Sequence, residues 1–123
     1  MIFKARHFNR WARKANLPDS LLCQAVTEIR HGLIDADLGG GIIKKRVALP
    51  GHGKRGSART LLATNRNDRW VFVYGFEKNE RSNISANELE ALKQLADDLL
   101  VLTEAQIFAA VNKGSLLEVP YET

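Results

Sequence analysis

The residues best equipped for chemistry in this chain are cations, and they crowd into its middle. From Ile42 to Arg81 there are ten lysines and arginines against only Asp68, Glu77 and Glu80, a net +7, whereas Ser82 onward carries −5. The whole-chain charge of +4 therefore hides a strongly basic portion, the electrostatic footprint of a polyanion binder. The cations fall in three clusters. Lys44, Lys45 and Arg46 lie on an apolar run, where Lys44 and Arg46 project to one face about 7 Å apart by the strand rise, a spacing that suits phosphates flanking one nucleotide. Lys54 and Arg55 stand in Pro50-Gly51-His52-Gly53-Lys54-Arg55-Gly56-Ser57, where small residues let side chains and amides approach a ligand. Arg59 follows, and Lys78 and Arg81 come after the next apolar run. If segments 59–65 and 70–76 pair around their turn, Arg59 reaches the same sheet end as Phe76 to Lys78.

Each cluster also has a plainer reading. Lysines blunt an edge strand against aggregation, the glycine stretch serves as a simple connection, and Arg81 and Glu80 pair with nearby charges. The glycine stretch lacks the Gly-x-x-x-x-Gly-Lys-Ser/Thr spacing of a nucleotide-binding loop. Tyr74 and Phe76 suit a sheet core as well as a base-stacking platform. His52 is a candidate acid–base group, whereas His7 and His31 read as peripheral. Cys23, the only cysteine, sits among apolar neighbours as a small buried residue, and no cysteine–histidine cluster has zinc spacing.

Cations without paired carboxylates fit one enzyme class. RNA carries its own nucleophile, the 2′-hydroxyl. Its cleavage needs in-line geometry, proton transfer at both oxygens and charge stabilisation at phosphorus. The sheet segment has no paired acids to hold the magnesium ions of a two-metal nuclease. A metal-free ribonuclease needing no cofactor is what this composition permits.

Helical hairpins and a short meander must position these groups. About His7 to Lys14 places Phe8, Trp11 and Ala12 on one helical face, with Arg6, Arg10, Arg13 and Lys14 around the rest. A second helix, capped at Asp19 or Ser20, buries Leu21, Leu22, Ala25, Val26 and Ile29 and stops at Gly32. Strands are expected over 42–49, 59–65 and 70–76, forming an antiparallel meander. Ile43, Lys45, Val47 and Leu49 share one face of the first of them. Ser85-Ala86-Asn87-Glu88 and Thr103-Glu104-Ala105-Gln106 are capping-box patterns opening two further helices, the second ended by Gly114, and Leu116 to Val119 is a candidate edge strand. The expected fold class is α+β, with two N-terminal helices packed on a small twisted antiparallel sheet, C-terminal helices after it, and helices covering one sheet face. One domain over residues 1–123 suffices for this length. The N-terminus lacks the apolar core of a signal peptide and no run of about 20 apolar residues occurs, so the expected location is the cytoplasm, with no membrane partner.

Gly39-Gly40-Gly41-Ile42-Ile43-Lys44-Lys45-Arg46, Gly51-His52-Gly53-Lys54-Arg55-Gly56-Ser57-Ala58-Arg59-Thr60, and Val73 through Asn83 with its Lys78-Asn79-Glu80-Arg81-Ser82 run together resemble the RelE/HigB toxins of bacterial type II toxin–antitoxin systems, over nearly the whole chain. The resemblance implies mRNA cleavage, commonly in the ribosomal A site. It also implies neutralisation by a cognate antitoxin, often a helix-turn-helix protein. By position it gives Arg59, Lys54, Lys78 and Arg81 as the catalytic set, to which His52 is added as the acid–base candidate of the glycine stretch. Lys44, Lys45, Arg46, Arg55, Tyr74 and Phe76 are the RNA-binding set. Several relatives place a tyrosine, proposed as the base, shortly after the Glu-Arg-Ser run. Asn83-Ile84-Ser85 stands there in this chain, which leaves His52, Tyr74 or a lysine for that role. Two alternatives accompany the ribonuclease: a ParE-like toxin that inhibits DNA gyrase without cleavage, and a co-repressor that only binds alongside its antitoxin. Arg10, outside the clusters, is expected to be dispensable for toxicity.

Overall fold

The computed structural model describes residues 1–51 and 56–120. The chain opens on a strand: β1 (Ile2–Ala5) leads directly into α1 (Arg6–Lys14), then α2 (Asp19–Arg30), β2 (Ala36–Gly39), β3 (Ile42–Ala48), β4 (Ser57–Thr64), β5 (Trp70–Glu77), α3 (Ala86–Leu100), α4 (Glu104–Lys113) and β6 (Leu116–Val119). The strands form one six-stranded sheet in the order β2-β3-β4-β5-β1-β6. The fold is thus α+β with a mixed sheet and four helices, which corrects the expected small antiparallel sheet led by two helices. The meander β3-β4-β5 is antiparallel, but β1 enters the sheet parallel to β5, with Ile2 opposite Trp70, and antiparallel to β6. Ile2 and Phe3 are both buried because β1 is an inner strand covered on both faces. Such a strand shows no polar alternation to betray it.

Helices cover both faces of the sheet, not one. On the first face Phe8 and Ala12 of α1 and Leu22, Ala25, Val26 and Ile29 of α2 pack with Ile43, Val47, Leu62, Trp70 and Phe72. On the second, Leu92, Ala96 and Leu99 of α3 and Ile107 of α4 pack with Ile42, Leu61, Ala63, Val71, Val73 and Phe76. Both C-terminal helices open on complete capping boxes, Ser85 with Glu88 and Thr103 with Gln106. The left-handed Gly114 closes α4.

One irregularity decides what the sheet displays. Leu61 lies opposite Tyr74 but Leu62 lies opposite Phe72, so Val73 is an extra residue on β5. A bulge shifts the alternation of side chains by one. Trp70 and Phe72 therefore face α1 and α2 whereas Phe76, also even-numbered, belongs to the α3 face. The bulge turns Tyr74 and Phe76 towards the cations of β3 and β4.

Candidate nucleic-acid interface

The register of the meander builds two rows across the α3 face. Arg46, Arg59 and Phe76 stand directly opposite one another on β3, β4 and β5, and Lys44, Leu61 and Tyr74 form the row beside them. Opposed residues in an antiparallel pair have Cα atoms roughly 4.5–5.5 Å apart. Two arginines so placed repel, a destabilising choice for a surface without a ligand. Arg59 is restrained by neighbours: Nε lies 3.2 Å from Asp35 Oδ2 and Nη1 donates to Ser57 Oγ at 3.3 Å. Its side chain is only 12% exposed. Arg46 is exposed, and neither it nor Lys44 has an ion-pair partner among the described residues.

At the β5 end the row meets a second cluster. The Arg81 guanidinium carbon sits 5.8 Å from the centre of the Phe76 ring, within cation–π range. Arg81 holds Glu88 with two nitrogens, Nη1 at 3.0 Å and Nη2 on the other oxygen. Nη1 also donates to the Tyr74 hydroxyl at 3.2 Å, which in turn donates to Glu88 Oε2 at 3.2 Å. Glu88 Oε1 accepts from the Ser85 amide as the capping box requires. Arg81 first, and the Ser85 amide second, hold the Glu88 carboxyl at about 2, well below the usual carboxylate range. Burial, followed by the neighbouring Glu88 carboxylate, pushes the Tyr74 hydroxyl up. Tyr74 therefore keeps its proton, and that proton is already committed to Glu88. The geometry makes Tyr74 a donor and a stacking surface, not a ready base.

The other sequence candidates divide. Lys78 is exposed beyond the end of β5, its amide bonded to Ser57 O at 3.4 Å, so it does share the sheet end with Arg59. Lys45 faces α2, is 7% exposed, pairs with Glu28 at 3.0 Å and donates to Leu33 O at 2.8 Å. The structure thus sets it across the sheet from Lys44 and Arg46. His52, Lys54 and Arg55 lie outside the described residues.

Two groups emerge that the sequence did not single out. Glu88 does double duty, as helix cap and as anchor for Arg81 and Tyr74. The His7 ring stacks on Tyr74, with centroids 6.0 Å apart and planes 15° from parallel. Together with Arg10, Trp11 and Lys14 it forms one wall of a groove of about 610 Å³, whose other wall includes Tyr74, Gly75, Phe76, Glu77, Glu80 and Arg81. Arg10 is therefore a groove residue, not a remote one. The signal was available: His7, Arg10, Trp11 and Lys14 fall at helical spacings of three, four and seven, one stripe of α1.

Basic residues and aromatics converging on one sheet face have the same chain order as the motif run read above, and residues 1–119 match the family described as RelE toxin of RelE / RelB toxin-antitoxin system. The chain belongs to the RelE toxin family. No curated protein matches it in sequence. As a RelE-family toxin it has an antitoxin as its cognate partner. Among the described residues no helix is long and apolar enough to cross a membrane.

Proposed function

We propose that this RelE-family chain is a metal-independent endoribonuclease that cleaves mRNA on the ribosome and so blocks translation in the cytoplasm. The observation that carries the reading is the cross-strand row Arg46–Arg59–Phe76, joined through Arg81 to Tyr74. Phosphates bind guanidinium forks and bases stack on aromatic faces, and the row with its Arg81–Tyr74 extension brings both together. In this reading Arg59 exchanges Asp35 for the scissile phosphate and stabilises the charge that builds there. Lys44 and Arg46 hold the neighbouring phosphates, and half-buried Tyr74 supports a base, backed by Phe76, which is itself only 3% exposed. Lys78 and Arg81 add positive field at the same end, with Lys54 and Arg55 assigned to the site by family resemblance and His52 as the acid–base candidate beside them. Lys45 serves the packing of α2 on the sheet.

The test is primer extension on cellular mRNA after brief induction of the chain without its antitoxin. The expected result is discrete cuts within translated frames, lost in Arg59→Ala. Arg13→Ala is the control on α1, since Arg10 lines the groove. Growth arrest with intact mRNA would move the case to a gyrase-type inhibitor, a reading that the committed proton of Tyr74 favours. Absence of arrest would leave only a binding role with the antitoxin.

A further inference from the structure

β1 stops pairing with β5 at Lys4, which lies opposite Phe72, and one residue later, after Ala5, the chain turns into α1. Among the described residues no strand pairs with that side of β5 beyond Phe72. The stripe of α1 runs alongside this free edge, and the Trp11 ring presses close on the backbone of Gly75, where any Cβ would collide with it. The result is a groove that bends around the edge of the sheet, with Tyr74, Phe76 and Arg81 common to it and to the arginine row.

The walls of this groove differ in chemistry. The α1 wall carries Arg10 and Lys14, both exposed and with no ion-pair partner among the described residues. The opposite wall carries the aromatics Tyr74 and Phe76 together with Glu77 and Glu80. A nucleotide has the same asymmetry: phosphate on one side, and on the other a flat base whose amino groups donate to carboxylates. Half-exposed Trp11 and the stacked His7–Tyr74 pair offer ring faces between the two walls.

We infer that the groove between α1 and the free edge of β5 is a second RNA subsite, holding the single strand that continues from the arginine row. The inference rests on the ribonuclease reading for the identity of the strand but predicts binding independently of cleavage. Phosphates lie along Arg10 and Lys14, and bases lie against Trp11, His7 and Tyr74. The class of ligand is unpaired RNA, because a duplex buries its base faces.

The experiment is fluorescence-anisotropy titration of the full chain with a labelled octanucleotide bearing 2′-deoxy sugars, which binds but cannot be cut. The variants are Arg10→Ala combined with Lys14→Ala, and Arg13→Ala as the control. Alanine is the best helix former, so α1 is retained in all of them. The inference expects the double variant to bind about tenfold more weakly and to lose roughly 1.4 from the slope of log affinity against log salt, the share of two single-strand phosphate contacts. The control should match wild type. In wild type the emission of half-exposed Trp11 should be quenched by the octanucleotide. An unchanged affinity and slope in the double variant would overturn the subsite, as would a wild-type chain that does not bind the strand. Loss of antitoxin capture with RNA binding intact would also overturn it and give the groove to a protein segment. Weakened binding in the double variant alongside a wild type that never cuts mRNA would sustain the subsite and sink the ribonuclease reading instead.

Discussion

Gly75→Ala is the sharpest probe of how α1 is seated on the sheet. Gly75 lies opposite Thr60 on β5, and a methyl group there would overlap three carbons of the Trp11 six-membered ring. The ring cannot move inward, because Phe8 packs against it at 5.5 Å between centroids and is itself fully buried. Overpacking of this kind costs about 1–3 kcal/mol. For a domain of this length, with roughly 2.1 cal/mol/K per residue of unfolding entropy, that corresponds to a fall in Tm of about 4–12 °C. Thermal melts by circular dichroism measure it directly. The cause is isolated by a double-mutant cycle with Trp11→Ala. Once the ring is gone, the added methyl should cost almost nothing, so the two substitutions together should be no worse than Trp11→Ala alone. Additive losses, or a Gly75→Ala melt indistinguishable from wild type, would refute the argument that the bare backbone at Gly75 is what admits the indole.

Two other outcomes follow from the electrostatics. Glu88 is held at about 2 when folded, against an ordinary value of 4.5. Its contribution is complete above 4.5 and lost as pH falls towards 2, because the unfolded chain binds the proton first. Glu88→Gln should therefore flatten the acid limb of the stability curve in that window, read from urea midpoints, and leave the limb near neutrality unchanged in shape. Lys45→Met should destabilise by about 1–3 kcal/mol, the cost of leaving the Leu33 carbonyl without its donor, and no more than that because the freed Glu28 carboxylate is 36% exposed and regains water. It should also leave the salt slope of RNA binding unchanged, whereas Lys44→Ala should lower that slope by roughly 0.7. Equal effects of the two lysines on the slope would contradict their placement on opposite faces.

The parts of the fold that were legible in the sequence are those governed by local pattern. The α2 stripe, the meander, both capping boxes, Gly114 and the β6 edge strand all announce themselves within a dozen residues. The shared end of Arg59 and Lys78 followed from a single hairpin. The parts that were not legible depend on distant partners or on silence in the pattern. β1 is four residues with no alternation, and its neighbours lie at Trp70 to Phe72 and at Leu116 to Val119. β2 is equally short and is interrupted by a register shift between Asp37 and Gly39. The bulge at Val73 falls in Trp70-Val71-Phe72-Val73-Tyr74, where every residue is apolar or aromatic and a change of phase leaves no mark. For the candidate site, the basic rows were visible as composition. The separation of Lys45 from Lys44 and Arg46 was visible as alternation, yet burial against Glu28 was needed to give it meaning. His7 and Arg10 join the groove only when α1 is sorted by its stripe of His7, Arg10, Trp11 and Lys14, a pattern that the apolar face of Phe8, Trp11 and Ala12 overshadows in the sequence.

The position of β1 between β5 and β6 has a consequence for the birth of the molecule. Ile2 lies beside Val119, and Arg6 bonds through both its amide and its side chain to the chain at Ser115 and Gly114. A nascent chain that has not yet delivered these last residues leaves one side of its first strand unpaired. The pairing that closes the sheet spans almost the full sequence, and contacts of such separation form slowly. The arginine row, aligned by the β3–β4–β5 register, is synthesised well before the sheet is closed. The synthesis of β6 thus sets the earliest moment at which β1 is paired on both sides, and with it the interval in which a partner can meet a chain whose first strand is still open on one side.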